Sequence, residues 1–390
     1  MSTSGFSGLL LLRDRRIREV AYQLVCIAAV VAVGWYLFEN AAANLARQDI
    51  ATGFDYLSRE AGFIMSETPI DYQPSDSYGR ALLVGLLNTL TVALLAIVLG
   101  TVVGTLVGIA RLSKNPLLSR LMLAYVEALR NVPLLLYLFL WYSAIIFTLP
   151  PVKQAIALMP GVFVSNSGLV VPAIVWQSGL WTVIATIAAG GAAALAWQAA
   201  ATRRRVRTGK ARPGWPVSLV LLALPFVIAI AVFDIRFEFD WPELGRFRLA
   251  GGAHLKPEFV ALLLGLTLSA SATVAEIVRS GILAIGKGQR EAAQALGLSS
   301  ARTMRLVILP QALMVIVPPL TNIYVTTFKN SSLAIAIGYP DLVMVSNTIM
   351  NQTGQAMEPI ALLMLVYLGL SLATSLLMNW YNARVALQGR

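Results

Sequence analysis

Apolar runs of about the 20 residues that a helix needs to cross a hydrocarbon core constrain this chain more than any other feature. They fall at roughly 20–40, 82–110, 120–148, 171–200, 217–234, 259–285, 311–329 and 357–382. Eight membrane helices are therefore predicted, in an all-α integral membrane protein, because within lipid a helix satisfies its own backbone N–H and C=O groups. Composition agrees: mean hydropathy is +0.73, and only 13% of the 390 residues are charged, against about 25% in soluble domains. The first run exceeds a signal-peptide core and lacks a small-residue cleavage site, so it reads as a retained helix. An even number of spans returns both termini to one side.

A formal net charge of +11 raises the question of a nucleic-acid partner, but the placement of the basic residues answers it. Arg13, Arg15, Arg16 and Arg18 precede the first span, Arg111, Lys114 and Arg120 follow the second, and Arg203, Arg204, Arg205, Arg207, Lys210 and Arg212 follow the fourth. Lys287, Arg290, Arg302 and Arg305 belong to a loop near Glu291, and Arg384 and Arg390 end the chain. With eight spans, nineteen Lys and Arg residues share this side, nine (Arg47, Arg59, Arg80, Lys153, Arg236, Arg246, Arg248, Lys256, Lys329) take the other, and Arg130 and Arg279 fall inside helices. The positive-inside rule makes the first side, with both termini, cytoplasmic. Most acids, among them Asp49, Asp55, Glu60, Glu67, Asp71, Asp76, Glu238, Asp240 and Glu243, fall opposite, in loops judged too short for separate domains. The run 203–212 would also attract anionic headgroups.

Several chemistries are excluded. Cys26 is the single cysteine, which leaves no intramolecular disulfide and no multi-cysteine metal site. His254, the single histidine, has no zinc-ligand companions and no Ser-His-Asp set to join. No Gly-rich Lys-Ser/Thr phosphate loop occurs. The chain is thus predicted to be no enzyme and to hold no cofactor, and any ATP hydrolysis must come from a partner.

Within the spans, Gly100, Gly104 and Gly108 recur every four residues and line one helix face, which predicts close approach of another helix. Pro318-Pro319 removes backbone donors from the seventh span and predicts a kink. Glu127 and Arg130 stand three residues apart in an apolar helix, as do Glu276 and Arg279, so each pair can meet on one face. Ionisable groups at such depth point to function, and self-paired ones can equally hold helices in register.

The segment Glu291-Ala292-Ala293-Gln294-Ala295-Leu296-Gly297-Leu298 is polar and helix-prone between two long spans. Good helix formers up to Leu296, a breaker at Gly297 and Pro310 ahead of the next span predict a short helix, a turn and re-entry. Such an element is either a docking surface or an amphipathic linker on the inner leaflet. Its spacing resembles the cytoplasmic coupling loop of ABC-transporter permeases (EAA, three residues, Gly, nine residues, Ile, one residue, Leu-Pro), with Val307 at the Ile position. Asn88-Thr-Leu90, Tyr125-Val-Glu-Ala-Leu-Arg-Asn-Val-Pro-Leu-Leu-Leu136, Ala275-Glu-Ile-Val-Arg-Ser-Gly-Ile282, Lys287-Gly-Gln289 and Lys329-Asn-Ser-Ser-Leu333 resemble permeases of the polar amino-acid uptake family, most closely the larger permeases of general L-amino-acid importers.

The resemblance implies a type I importer permease core with an extra N-terminal helix and a two-helix insertion. The expected organisation is a tail, helix and external loop over 1–80, core over 81–149, inserted helix pair over 150–257 and core over 258–390, with the coupling loop at 287–310. Implied partners are two copies of a cytoplasmic ABC ATPase, a second and different permease, a periplasmic amino-acid-binding protein and membrane lipid. The implied location is the bacterial inner membrane. Glu291, Ala292, Ala293, Gly297, Leu298 and Pro310 would couple to the ATPase. Glu127, Arg130, Asn131, Glu276, Arg279, Lys329, Asn330, Ser331 and Ser332 would lie along the substrate pathway, with Lys329, Ser331 and Ser332 receiving a carboxylate. Members of the family often carry Asp where Asn330 stands, so broad substrate choice is expected. An ion-coupled secondary transporter is the alternative, but it would need paired repeats and an intramembrane ion site.

Overall fold

The computed structural model describes residues 15–47, 52–175, 180–208, 215–232, 238–245 and 249–388. Arg13, Asp49, Lys210, Arg212, Arg236, Arg246, Arg248 and Arg390 of the charge argument lie outside them, as do residues 176–179 and 233–234 of two predicted spans. In chain order the helices are α1 (Arg15–Arg47), α2 (Tyr78–Ala110), α3 (Pro116–Arg130), α4 (Leu134–Thr148), α5 (Leu180–Thr208), α6 (Trp215–Val232), α7 (Pro257–Leu283), α8 (Lys287–Ala295), α9 (Ser300–Thr303), α10 (Leu309–Asn330), α11 (Leu342–Thr353) and α12 (Met357–Gln388). Among the described residues, five helical spans are long and apolar enough to cross a membrane, or six if α3 with α4 counts as one. Shorter apolar helical stretches lie at 185–201 and 216–228, at two of the eight predicted positions.

Two compact units divide the chain: Met1–Val132 with Leu266–Arg390, and Pro133–Gly265. In the first, Ser77 caps α2 by accepting from the Arg80 N–H at 3.3 Å, and Asn115 caps α3 by accepting from Leu117 and Leu118 at 2.9 and 3.3 Å, with Pro116 at the first helical position, where no donor is missed. The glycine stripe does what its spacing predicts. A Cβ on Gly104 would lie 2.6 Å from the Ser271 carbonyl oxygen and from Val274 Cβ, and one on Gly108 would lie 2.6 Å from the Ala275 carbonyl oxygen. Only glycine lets α2 approach α7 so closely. Below this contact, Val274, Val278, Ile282, Ile308, Ala312 and Ile316 form one core. The helix α10 continues through Pro318 and Pro319. By contrast, α1 is exposed along its apolar length, Val30 at 72% and Tyr22 at 68%, as suits a helix whose solvent is lipid.

Two predicted spans need correction. The run 120–148 is two helices, because Pro133 lacks an N–H and steers Val132 away from helical geometry. In the run 171–200, residues 171–175 are not helical, and the described helix is Leu180–Thr208. Before it, in the second unit, β1 (Ile156–Met159), β2 (Val162–Ser165) and β3 (Gly168–Val171) make an antiparallel sheet completed by β4 (Ala253–Leu255). Gly168 supports this pairing: its φ is +107°, and a Cβ there would fall 2.0 Å from the Leu255 carbonyl oxygen. Ala173–Ile174 pairs with Phe239–Asp240, and Glu243–Leu244 with Leu249–Ala250. The mostly helical chain therefore carries small sheets, nearly all of them between its apolar runs. His254 pairs with Val170 in this sheet and is exposed.

Candidate functional site

The loop at 287–310 has the predicted form. Its helix α8 ends in a Schellman arrangement: Gly297 sits at φ +75°, its N–H donates to Gln294 at 2.9 Å, and the Leu298 N–H donates to Ala293 at 3.1 Å. Glycine takes this left-handed position without the cost a side chain would incur. Ala293 is buried at 3% and Leu298 half-buried, whereas Glu291, Ala292, Gly297 and Pro310 are exposed. Leu296 is 81% exposed. After α9, a π-helical turn at Met304–Ile308 leads into α10, with Pro310 in its first turn. Chain re-entry is thus continuous helix rather than a fresh start at Pro310. The loop is anchored by Ile308, 1% exposed, and by Gln311, which donates to the Val307 carbonyl at 2.9 Å.

Of the two ionisable pairs, one forms. Arg279 Nη2 donates to Glu276 Oε1 at 2.5 Å, and Arg111 Nη1 donates to Glu276 Oε2. Glu276 therefore joins the end of α2 to α7, and the triad carries one net positive charge. Glu127 instead accepts from Asn131 Nδ2 at 3.2 Å. Arg130 does not complete that predicted pair, and Glu127, Arg130 and Asn131 are all exposed at the break after α3. Lys329 is exposed and Asn330 half-buried. Ser331 is fully buried, its hydroxyl donating to the Phe328 carbonyl at 2.7 Å, and the Ser332 hydroxyl donates to the Lys329 carbonyl at 2.6 Å. Both hydroxyls serve their own helical turn, so of the three residues expected to receive a carboxylate only Lys329 presents an open donor.

At the other end of α2 lies a buried polar knot. Asn88 Nδ2 donates to the carbonyls of Glu67 and Pro340, both at 2.9 Å. The Leu342 N–H donates to Thr89 Oγ1 at 3.1 Å, and the Tyr339 hydroxyl to the Asn88 carbonyl at 3.4 Å. Asp341 caps α11 by accepting from Met344 N–H at 2.8 Å. Burial, partly offset by backbone N–H groups, pushes its carboxyl up from 3.8 to about 7, and burial likewise raises the Tyr339 phenol.

A family model described as "Binding-protein-dependent transport system inner membrane component" matches residues 200–387. YhdX of Escherichia coli (strain K12) is 43% identical over 388 residues, covering 99% of each chain. The "General L-amino acid transport system permease protein AapQ" of Rhizobium johnstonii is 41% identical over 99% of this chain and 97% of its own. This chain belongs to the amino-acid ABC transporter permeases. The "Glutamate/glutamine/aspartate/asparagine transport system permease protein BztB" of Rhodobacter capsulatus is 38% identical over 99% of this chain and 98% of its own.

As an amino-acid ABC importer permease, the chain is a multi-pass inner-membrane protein. ATP hydrolysis in this family lies in a separate ATPase subunit, and the complex includes a substrate-binding partner. Sequence spacing missed Arg111 as a partner of the permease's Glu276, because the two stand 165 residues apart. Asn88 and Thr89 were visible as motif residues, but nothing local to them shows that they tie α2 to the turn before α11.

Proposed function

We propose that this permease imports a broad range of L-amino acids, paired with a second, different permease, two ATPase copies and a periplasmic binding protein. Both termini and residues 287–310 would face the cytoplasm, and residues 52–77 with α11 the outside. The charge asymmetry, nineteen basic residues against nine, supports this orientation. The observation that carries the docking role is Leu296, 81% exposed at a turn fixed by three backbone features of Gly297 and Leu298. An apolar side chain held open on an ordered helix end suits insertion into another protein. Glu291 and Ala292 would flank it, while Ala293, Leu298 and Pro310 set the helix in place.

Nucleotide binding would close the ATPase pair and move this loop, and the helices would follow through the core at Ile308, Ala312 and Ile316. To shift the permease from mostly one state to mostly the other, nucleotide must favour one by about 5.5 kcal/mol. In the pathway, Lys329 would meet the substrate carboxylate, and the neutral Asn330 would place no selective charge beside it. Glu127, Arg130 and Asn131, exposed on an apolar helix, suit a water-filled path or the second permease, since lipid alone would leave them at high cost. The Glu276 triad is internally paired and suits a structural role. In proteoliposomes holding the full complex, uptake of several labelled L-amino acids is expected only with ATP and binding protein, and unchanged by ionophores. Uptake driven by an ion gradient without ATP would overturn the reading.

A further inference from the structure

Residues 52–77 fold as a rigid lip rather than a loose loop. A 3-10 turn at Asp55–Ser58 buries Tyr56 completely. The Gly62 N–H donates to the Pro74 carbonyl at 2.8 Å, the Tyr72 hydroxyl to the Phe63 carbonyl at 2.9 Å, and Arg80 Nε to the Asp71 carbonyl at 2.9 Å. Between this lip and the turn before α11 lies a cavity of about 250 Å³, lined by Phe63, Ile64 and Met65 on one side and Pro340, Met344 and Val345 on the other. Ile64 stands 85% exposed at its edge.

Chemistry limits what could enter. The volume is below the roughly 300–1,000 Å³ of small-molecule pockets, and no charged side chain lines it. A free amino acid would find only the hydroxyls of Ser66 and Thr348 among the lining side chains, and with no charged partner there its ammonium and carboxylate would be buried at high cost. An apolar side chain of another protein has no such groups. The surroundings are acidic: residues 52–80 hold Asp55, Glu60, Glu67, Asp71 and Asp76 against Arg59 and Arg80. Asp76 pairs with Arg80 at 3.3 Å. Asp55, Glu60 and Asp71 are exposed and make no ion pair among the described residues.

We propose that this lip and cavity are the docking surface for the substrate-binding partner, which would seat an apolar side chain in the cavity and ring it with Lys and Arg. The inference rests on the outward orientation of residues 52–77 proposed above. Opposite charges around an apolar anchor would speed encounter and set register, and make docking sensitive to salt.

The test uses the full transporter in nanodiscs, titrated with its binding protein while ATPase stimulation is followed. Reversing Asp55, Glu60 and Asp71 together to Lys is expected to raise the half-saturating concentration about tenfold or more at low salt, and to abolish its rise with added salt. Ile64→Asp should raise it at every salt concentration. Basal ATPase, and the amount of ATPase bound to the permease, should stay native in both variants and so report intact folding. Half-saturation within twofold of native in both variants, with the native salt dependence, would overturn the surface alone. A native complex indifferent to every binding protein would overturn the importer reading and the surface with it.

Discussion

At one end of the first unit, a knot of buried polar groups closes on itself: Asn88, Thr89, Tyr339 and the backbone of Leu342 bond to one another and to neighbouring carbonyls, beside a core that includes Tyr56, Tyr78, Val84 and Val345. At the other, residues 287–310 fix their backbone as firmly through Gly297 and Ile308, yet leave Leu296 open. Both ends are ordered, and they differ in what completes them. Substitutions in the buried polar knot of Asn88, Thr89 and Tyr339 should therefore cost folding, and substitutions of exposed side chains, Leu296 at one end and Ile64 at the other, should cost association while sparing the fold.

The largest effect should come from the helix joining the two ends. Gly104→Leu drives a side chain into the Ser271 carbonyl and Val274, overpacking that costs about 1–3 kcal/mol or more, so the folded peak in size-exclusion chromatography should fall several-fold. Gly288→Ala, with nothing within 4 Å of its added Cβ, should leave that peak unchanged. Next comes Asn88→Leu, which strips the donor from the buried Pro340 carbonyl, a loss of about 1–3 kcal/mol, and from the part-buried Glu67 carbonyl. Its Tm should drop by several degrees, with ATPase association retained in whatever folds.

Asp341 sharpens the comparison through pH. Its folded-state pKa is raised from 3.8 to about 7 by burial, so between these values the folded chain holds more protons than the unfolded one, and stability falls as pH rises. The benefit is fully present below about pH 3.8 and is lost by the time pH has passed about 7. Asp341→Asn keeps an acceptor for the Met344 N–H and removes the titration. Its Tm should exceed the native value at pH 8 and converge on it towards pH 4. The smallest effect on stability should be Gly297→Ala, which forces a side chain to φ +75° at about 1–2 kcal/mol. ATP-driven uptake should fall further than this small loss explains, because the turn sets the pose of Leu296.

The glycine stripe, the Glu276–Arg279 pair and the loop helix were legible because each rests on local spacing along one helix. Partners far apart in sequence were not: Arg111 has no periodic relation to Glu276, and Asn88 none to Pro340. The sheet at 156–171 falls almost wholly between the predicted spans 120–148 and 171–200, where no element was predicted. Its strands are only four residues each, too short to show a clear period, and the strand that completes it, through Leu169 and Leu255, is far away in sequence. The break at Pro133 was visible, and a run apolar on both sides of it masked the stop.

The central claim is that the open face of residues 287–310 receives the ATPase, and the most direct test compares the native chain with Leu296→Asp after gentle extraction from membranes. We predict that the variant keeps the native Tm and elution profile and loses most of the ATPase that copurifies with the native chain. An unchanged yield of ATPase with Leu296→Asp, and again with Glu291→Lys added, would contradict the account.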